Sequence, residues 1–194
     1  MDEAGAPAAL ALRNVSKRFG GVTALEAVDF DVAAGEVHCL AGENGCGKST
    51  LIKIVTGVHA PEPGARLGIF GATHARTTPA LARALGIAVI WQDLALFPHM
   101  TVGENITFDE VVGVAPRPFR GRRLRERAAA VLARLGVALD LDAPLQALPI
   151  AQRQEVAIAR ALLGEARLIF MDEPTASLTQ SETDKLLEVV RSLS

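Results

Sequence analysis

Gly42-Glu43-Asn44-Gly45-Cys46-Gly47-Lys48-Ser49 constrains this chain more than any other stretch, because it matches the phosphate-loop pattern G-x-x-x-x-G-K-[ST]. Its glycines let the backbone curl until successive N–H groups point at an anion. In such a loop Lys48 reaches the β- and γ-phosphates of a nucleoside triphosphate, and the Ser49 hydroxyl is placed to hold Mg²⁺. The flanks agree with the pattern. Glu36–Ala41 reads as a buried strand, and Ser49-Thr50-Leu51-Ile52-Lys53-Ile54-Val55 reads as the helix whose N-terminus faces the anion. A loop of this kind demands a strand–loop–helix unit, and so an α/β core.

The rest of the chain is compatible with that core. Its 194 residues, 49% hydrophobic with a net charge of −2, suit one globular domain and give no basic excess for nucleic acid. No apolar run approaches the roughly 18 residues that span a bilayer. The acidic start Met1-Asp2-Glu3-Ala4 is unlike a secretory signal, so a cytosolic protein with free thiols at Cys39 and Cys46 is expected. Strands are predicted at Leu10–Val15, Val28–Val32, Val37–Ala41, Arg66–Phe70 and Ile87–Trp91, with a helix at Pro79–Leu85. From Asp93 to about Leu148 the pattern turns helical, with a long helix near Arg122–Leu135. The α/β pattern then resumes with a helix at Gln152–Leu163, the strand Arg167–Met171 and a final helix opened by the capping-box spacing Thr179-Gln180-Ser181-Glu182. We expect a single domain over 1–194, its core lobe about 1–92 and 152–194 and its helical subdomain about 93–151.

Asp172 follows four apolar residues, Leu168 to Met171, at the C-terminal end of a predicted buried strand. A carboxylate there is placed to hold Mg²⁺ beside bound phosphates, and Glu173 next to it to polarise an attacking water. The same residues are equally an acidic turn at a strand end, and only the upstream loop tips the balance towards chemistry.

The phosphate loop, Trp91-Gln92-Asp93, Gln152-Arg153-Gln154 and Met171–Thr179 resemble, in that order, the ATPase domain of ABC transporters. Lys17–Leu25 and Asp172–Thr179 are most similar to the first ATPase half of bacterial monosaccharide importers, in which two halves share one polypeptide. The resemblance implies a P-loop NTPase core with a parallel sheet, an antiparallel N-terminal β subdomain and an inserted helical subdomain. It implies ATP and Mg²⁺ as ligands, with Gly42, Glu43, Asn44, Gly45, Cys46, Gly47, Lys48, Ser49 and Thr50 at the phosphates. Phe19 stacks on adenine, Gln92 joins Ser49 and Asp172 at the metal, and Lys48, Gln92 and Glu173 serve catalysis. Ala176, Ser177, Leu178 and Thr179 form the D-loop towards a partner ATPase domain. The implied partners are a membrane permease, a second ATPase half and, indirectly, an extracytoplasmic sugar-binding protein, with the chain peripheral at the cytoplasmic membrane face.

Two departures qualify the resemblance. The family signature Leu-Ser-Gly-Gly-Gln is replaced by Leu148-Pro149-Ile150-Ala151-Gln152, whose proline has neither hydroxyl nor N–H for the opposite site's γ-phosphate. One competent and one degenerate site are therefore expected. His38, His59, His74 and His99 all precede Asp172, so no histidine here matches the family's switch histidine, and a truncated domain is expected. Two other functions stay open at this stage: a soluble ABC-type ATPase acting on nucleic acid or ribosomes, and a module that binds ATP without hydrolysing it. Arg117, Arg120, Arg122, Arg123, Arg125 and Arg127 bear on the first, and Arg122–Arg127 is expected to be the solvated face of a helix on the helical subdomain.

Overall fold

The computed structural model describes residues 8–43, 45–111 and 121–193. The chain forms two compact units, Met1–Ile87 and Ala88–Leu193, apart from the last residue.

In the N-terminal unit, β1 (Ala8–Phe19) and β2 (Val22–Ala33) form a long antiparallel hairpin closed at Gly20-Gly21, with Phe19 paired to Val22 at its tip. Both strands outrun the predicted spans. Ser16-Lys17-Arg18 and Thr23–Glu26 carry little apolar alternation, so ladder hydrogen bonds, together with the buried Leu25, hold that end of the ribbon. The alternation near the base is clear, with Leu10 and Leu12 fully buried. After helix α1 (Lys48–Val55), β3 (Arg66–Ile69) and β4 (Ala72–His74) complete a sheet ordered β2-β1-β3-β4. The short β4 escaped sequence analysis; it follows a tight turn in which Phe70 and Gly71 both take positive φ. The buried Thr77 hydroxyl donates to Ile54 O and Val55 O at the end of α1, just before α2 (Pro79–Ala84).

The predicted strand Val37–Ala41 is not formed. The segment is irregular, and Val37 is 55% exposed. Its apolar composition matches a central strand, but a strand exists only where a neighbour completes its ladder, and neither described sheet includes it.

In the second unit β5 (Ile87–Ile90) pairs with β6 (Leu168–Met171), the parallel part of the fold. The helices α3 (Val102–Val111), α4 (Arg122–Arg134) and α5 (Ile150–Leu163) bury Val102, Ile106, Leu132, Val156 and Ile158 in a common core. Helix α5 begins two residues before the predicted Gln152, with Pro149 as its N-cap. Three arginines of α4 engage carboxylates of the same unit: Arg122 pairs with Glu126, Arg125 with Asp142, and Arg127 with Glu110. Arg117 and Arg120 lie outside the described residues.

Helix α6 (Gln180–Arg191) starts as its spacing predicts, in that the Glu182 carboxylate accepts the Thr179 N–H at 2.9 Å. The Thr179 hydroxyl donates to the same carboxylate at 2.7 Å. The Thr179 amide, and then its hydroxyl, hold Glu182 below the ordinary glutamate range. A depressed folded value stabilises above the unfolded pKa, and that stability is lost as pH falls through the folded value. Thermal melts of the wild type and Glu182→Ala should therefore differ at neutral pH and converge in acid. A gap that persists undiminished in acid would count against the cap.

Candidate functional site

The phosphate loop lies in the N-terminal unit, between the irregular Val37–Ala41 segment and α1. Gly45 and Gly47 take φ of 85° and 98°, a region that suits residues without a Cβ. Gly47 is constrained twice, because a Cβ there would lie 2.5 Å from Ala24 O and 2.7 Å from Leu25 Cδ2 on β2. A Cβ at Gly42 would approach Cys46 Sγ to 2.6 Å. The Cys46 N–H donates to Glu43 O at 3.3 Å, closing a turn inside the loop. Lys48 Nζ donates to Gly42 O at 2.7 Å and Glu43 O at 2.9 Å, so its ammonium lies over the loop's own backbone. No side chain caps α1 at Gly47, and its first N–H groups carry the partial positive charge of the helix dipole. The cradle therefore fits a phosphate chain: it closes on glycines that a side chain would fill, beside an ammonium and an uncapped helix start. Ser49 and Thr50 lie in the first turn of α1, and Asn44 lies outside the described residues.

Phe19, in the same unit, is 42% exposed at the hairpin tip. The His59 ring meets it edge-on at 5.1 Å, and Lys17 Nζ lies 5.4 Å from its centre. Its sequence position alone did not separate a core phenylalanine from a stacking one. Its exposure places it outside the core.

In the second unit the Asp172 N–H donates to Ile90 O at 2.9 Å, which brings the C-terminal ends of β5 and β6 level. Gln92 is exposed just beyond β5, Asp172 is half-buried directly after β6, and Glu173 is exposed beside it. Glu173 takes φ of 50°, which costs a residue with a side chain about 1 kcal/mol. Two tight turns follow, closed by Ala176 N–H to Glu173 O at 3.2 Å and Leu178 N–H to Thr175 O at 3.1 Å. They present Ala176 and Ser177 to solvent, tuck Leu178 against the core, and end at Thr179. Leu148 and Pro149 precede α5, whose first turn holds Ile150, Ala151 and Gln152. Arg153 fastens this stretch by donating from Nε to Leu148 O at 2.9 Å.

Sequence analysis overlooked two side chains of α5. Arg160 donates to Ala95 O at 2.9 Å and Leu94 O at 3.3 Å, fixing the segment that follows Gln92. Gln154 donates to Pro174 O, beside Glu173. The signal for both was a polar residue set among apolar ones in a helix that is buried along most of its length.

A family model described as ABC transporter matches residues 25–176, from the β2 strand at the phosphate loop's back to the turn after Glu173. The chain belongs to that family. It is 50% identical over 186 residues to the ribose import ATP-binding protein RbsA 2 of Rubrobacter xylanophilus, covering 94% of this chain and 35% of that protein. It is 49% identical over 195 residues to the ribose import ATP-binding protein RbsA 1 of Streptomyces coelicolor, covering 98% of this chain and 38% of that one. The chain thus spans somewhat over a third of the length of these curated relatives. A crystal structure of a nucleotide-free ATP-binding cassette from an ABC transporter superposes with a TM-score of 0.85 at 28% identity, over 96% of this chain and 77% of that chain. The fold is that of an ABC ATPase cassette, a P-loop NTPase.

Proposed function

We propose that this chain is the ATP-binding part of an importer for a small sugar, coupling ATP binding and hydrolysis to transport through a membrane permease. The intact phosphate loop carries the nucleotide reading, and the similarity to ribose import proteins supports the sugar. Lys48 withdraws from the carbonyls of Gly42 and Glu43 to meet the β- and γ-phosphates, while Phe19 stacks on adenine. Ser49, Gln92 and Asp172 are the residues that would hold Mg²⁺, which when bound neutralises phosphate charge. Glu173 orients the attacking water, and the Ala176–Thr179 turns face a second ATPase domain. The core lobe then comprises about 1–92 and 152–194, with 93–151 as the helical lobe that meets the permease at the cytoplasmic membrane face. An extracytoplasmic binding protein delivers the sugar. Arg122, Arg125 and Arg127 of α4, already paired with carboxylates, support a permease-coupled ATPase over one that works on nucleic acid.

Titration of the chain with a fluorescent ATP analogue and Mg²⁺ tests the reading, with saturable binding displaced by ATP expected. Absence of such binding sinks it. Sugar uptake by cells carrying the complete transporter tests the transport step, and uptake indifferent to Lys48→Ala refutes it.

The signature stretch predicts an asymmetry. Pro149 caps α5 by backbone geometry alone, with no side-chain hydrogen bond and no N–H to offer a phosphate across a domain interface. Restoring Pro149→Ser, Ile150→Gly and Ala151→Gly in the assembled protein should raise turnover at the opposite site roughly tenfold or more, since each hydrogen bond to a charged group contributes about 1.5–3 kcal/mol. An unchanged steady-state rate contradicts this.

A further inference from the structure

Gln154 stands out within the second unit as a polar side chain that its packing does not reward. It is 8% exposed, and its Oε1 is buried without a hydrogen-bond partner. An apolar side chain of the same size would fill the space with no unmet acceptor. What the amide does supply is a donor to Pro174 O.

Pro174 follows Glu173, whose left-handed φ of 50° persists only where the surroundings hold it. The Asp172 N–H, bonded to Ile90 O, fixes the chain before that strained residue, and the Ala176 N–H to Glu173 O and Gln154 to Pro174 O fix the chain after it. The neighbouring Arg153 faces the opposite task, donating to Leu148 O at 2.9 Å and Gln146 O at 3.0 Å. Adjacent residues of α5 thus hold the signature stretch and the loop that bears the carboxylate.

We infer that Gln154 is a positioning residue: it fixes Pro174, and through it Glu173, to the helix that opens with the signature stretch. The inference rests on the water-orienting role proposed for Glu173. A displacement of Leu148–Gln152 is passed to Glu173 through one turn of α5.

Gln154→Met and Gln154→Leu keep the volume and remove the donor. In both, Tm should stay level or rise, and affinity for the fluorescent ATP analogue should stay within about twofold of wild type. Amide hydrogen exchange over 173–178 should accelerate roughly fivefold to tenfold while that of Val156–Leu163 is unchanged, the effect of one net hydrogen bond on local opening. Unchanged exchange over 173–178 overturns the inference. So does faster exchange spread along α5 with a lower Tm, which marks a residue needed only for the fold. In the wild type, NMR should show the Gln154 side-chain amide protons exchanging more slowly than those of the exposed Gln180, and equal rates overturn the inference without any variant. A wild-type chain that fails to bind the ATP analogue refutes the functional reading instead, and the exchange comparison still judges whether Gln154 holds the loop.

Discussion

Gly47→Ala is expected to destabilise the protein by about 2–5 kcal/mol, the sum of a left-handed backbone penalty of about 1–2 kcal/mol and an overpacking cost of about 1–3 kcal/mol. The backbone term follows from φ of 98°. The packing term follows from a Cβ placed 2.5 Å from Ala24 O, where β2 backbone has little room to retreat. For a chain of this size the loss corresponds to a fall in Tm of roughly 5–15 °C. Gly45→Ala is the control. Its φ of 85° carries the same backbone penalty, but nothing lies within 4 Å of the added Cβ, so its cost should be near 1–2 kcal/mol. Thermal melts of the two variants side by side decide the matter. Equal losses would show that close packing behind the loop adds nothing to the demand for glycine at position 47.

Lys48→Ala should lower affinity for ATP by roughly 10- to 150-fold, the equivalent of about 1.5–3 kcal/mol for a hydrogen bond to a charged group. The ammonium meets the carbonyls of Gly42 and Glu43 and, at 3.8 Å, Cys46 Sγ, partners that cost little to leave. Position 48 begins α1, where alanine is a good helix former, so Tm should move little. Affinity and stability therefore separate: Gly47→Ala damages the scaffold of the loop, and Lys48→Ala removes its charge from an intact scaffold. Titration with the fluorescent analogue measures the first quantity and thermal melting the second. Affinity within twofold of wild type would falsify the phosphate-binding role of Lys48.

The helices were legible because each has its own local signals. Arg122–Arg134 and Gln180–Arg191 carry the apolar period of a helix that buries one side, and the start of α6 is written in Thr179 and Glu182. The loop was legible for a similar reason, since its glycines answer to backbone angles that neighbouring residues set. Strands were less so. Val37–Ala41 is apolar but for His38, yet it remains irregular, because an apolar run records a tendency to be buried and leaves open which strand pairs with it. Conversely, Lys17 and Arg18 are charged and still join a ladder, because a two-residue turn holds the strands opposite each other.

By itself, then, the sequence determined which groups stand next to one another: a glycine-rich loop carrying Lys48 at Gly42–Ser49, a carboxylate pair after an apolar strand, and Pro149 at the head of a helix. These are properties of neighbours in the chain, and adjacency alone defines them. Tertiary structure decided which side chains hold those groups in place. Gln154 and Pro174 are 20 residues apart, and nothing local to either residue announces their hydrogen bond. The bond exists because α5 packs beside the loop after β6, and long-range packing of that kind follows from the burial of many apolar side chains at once.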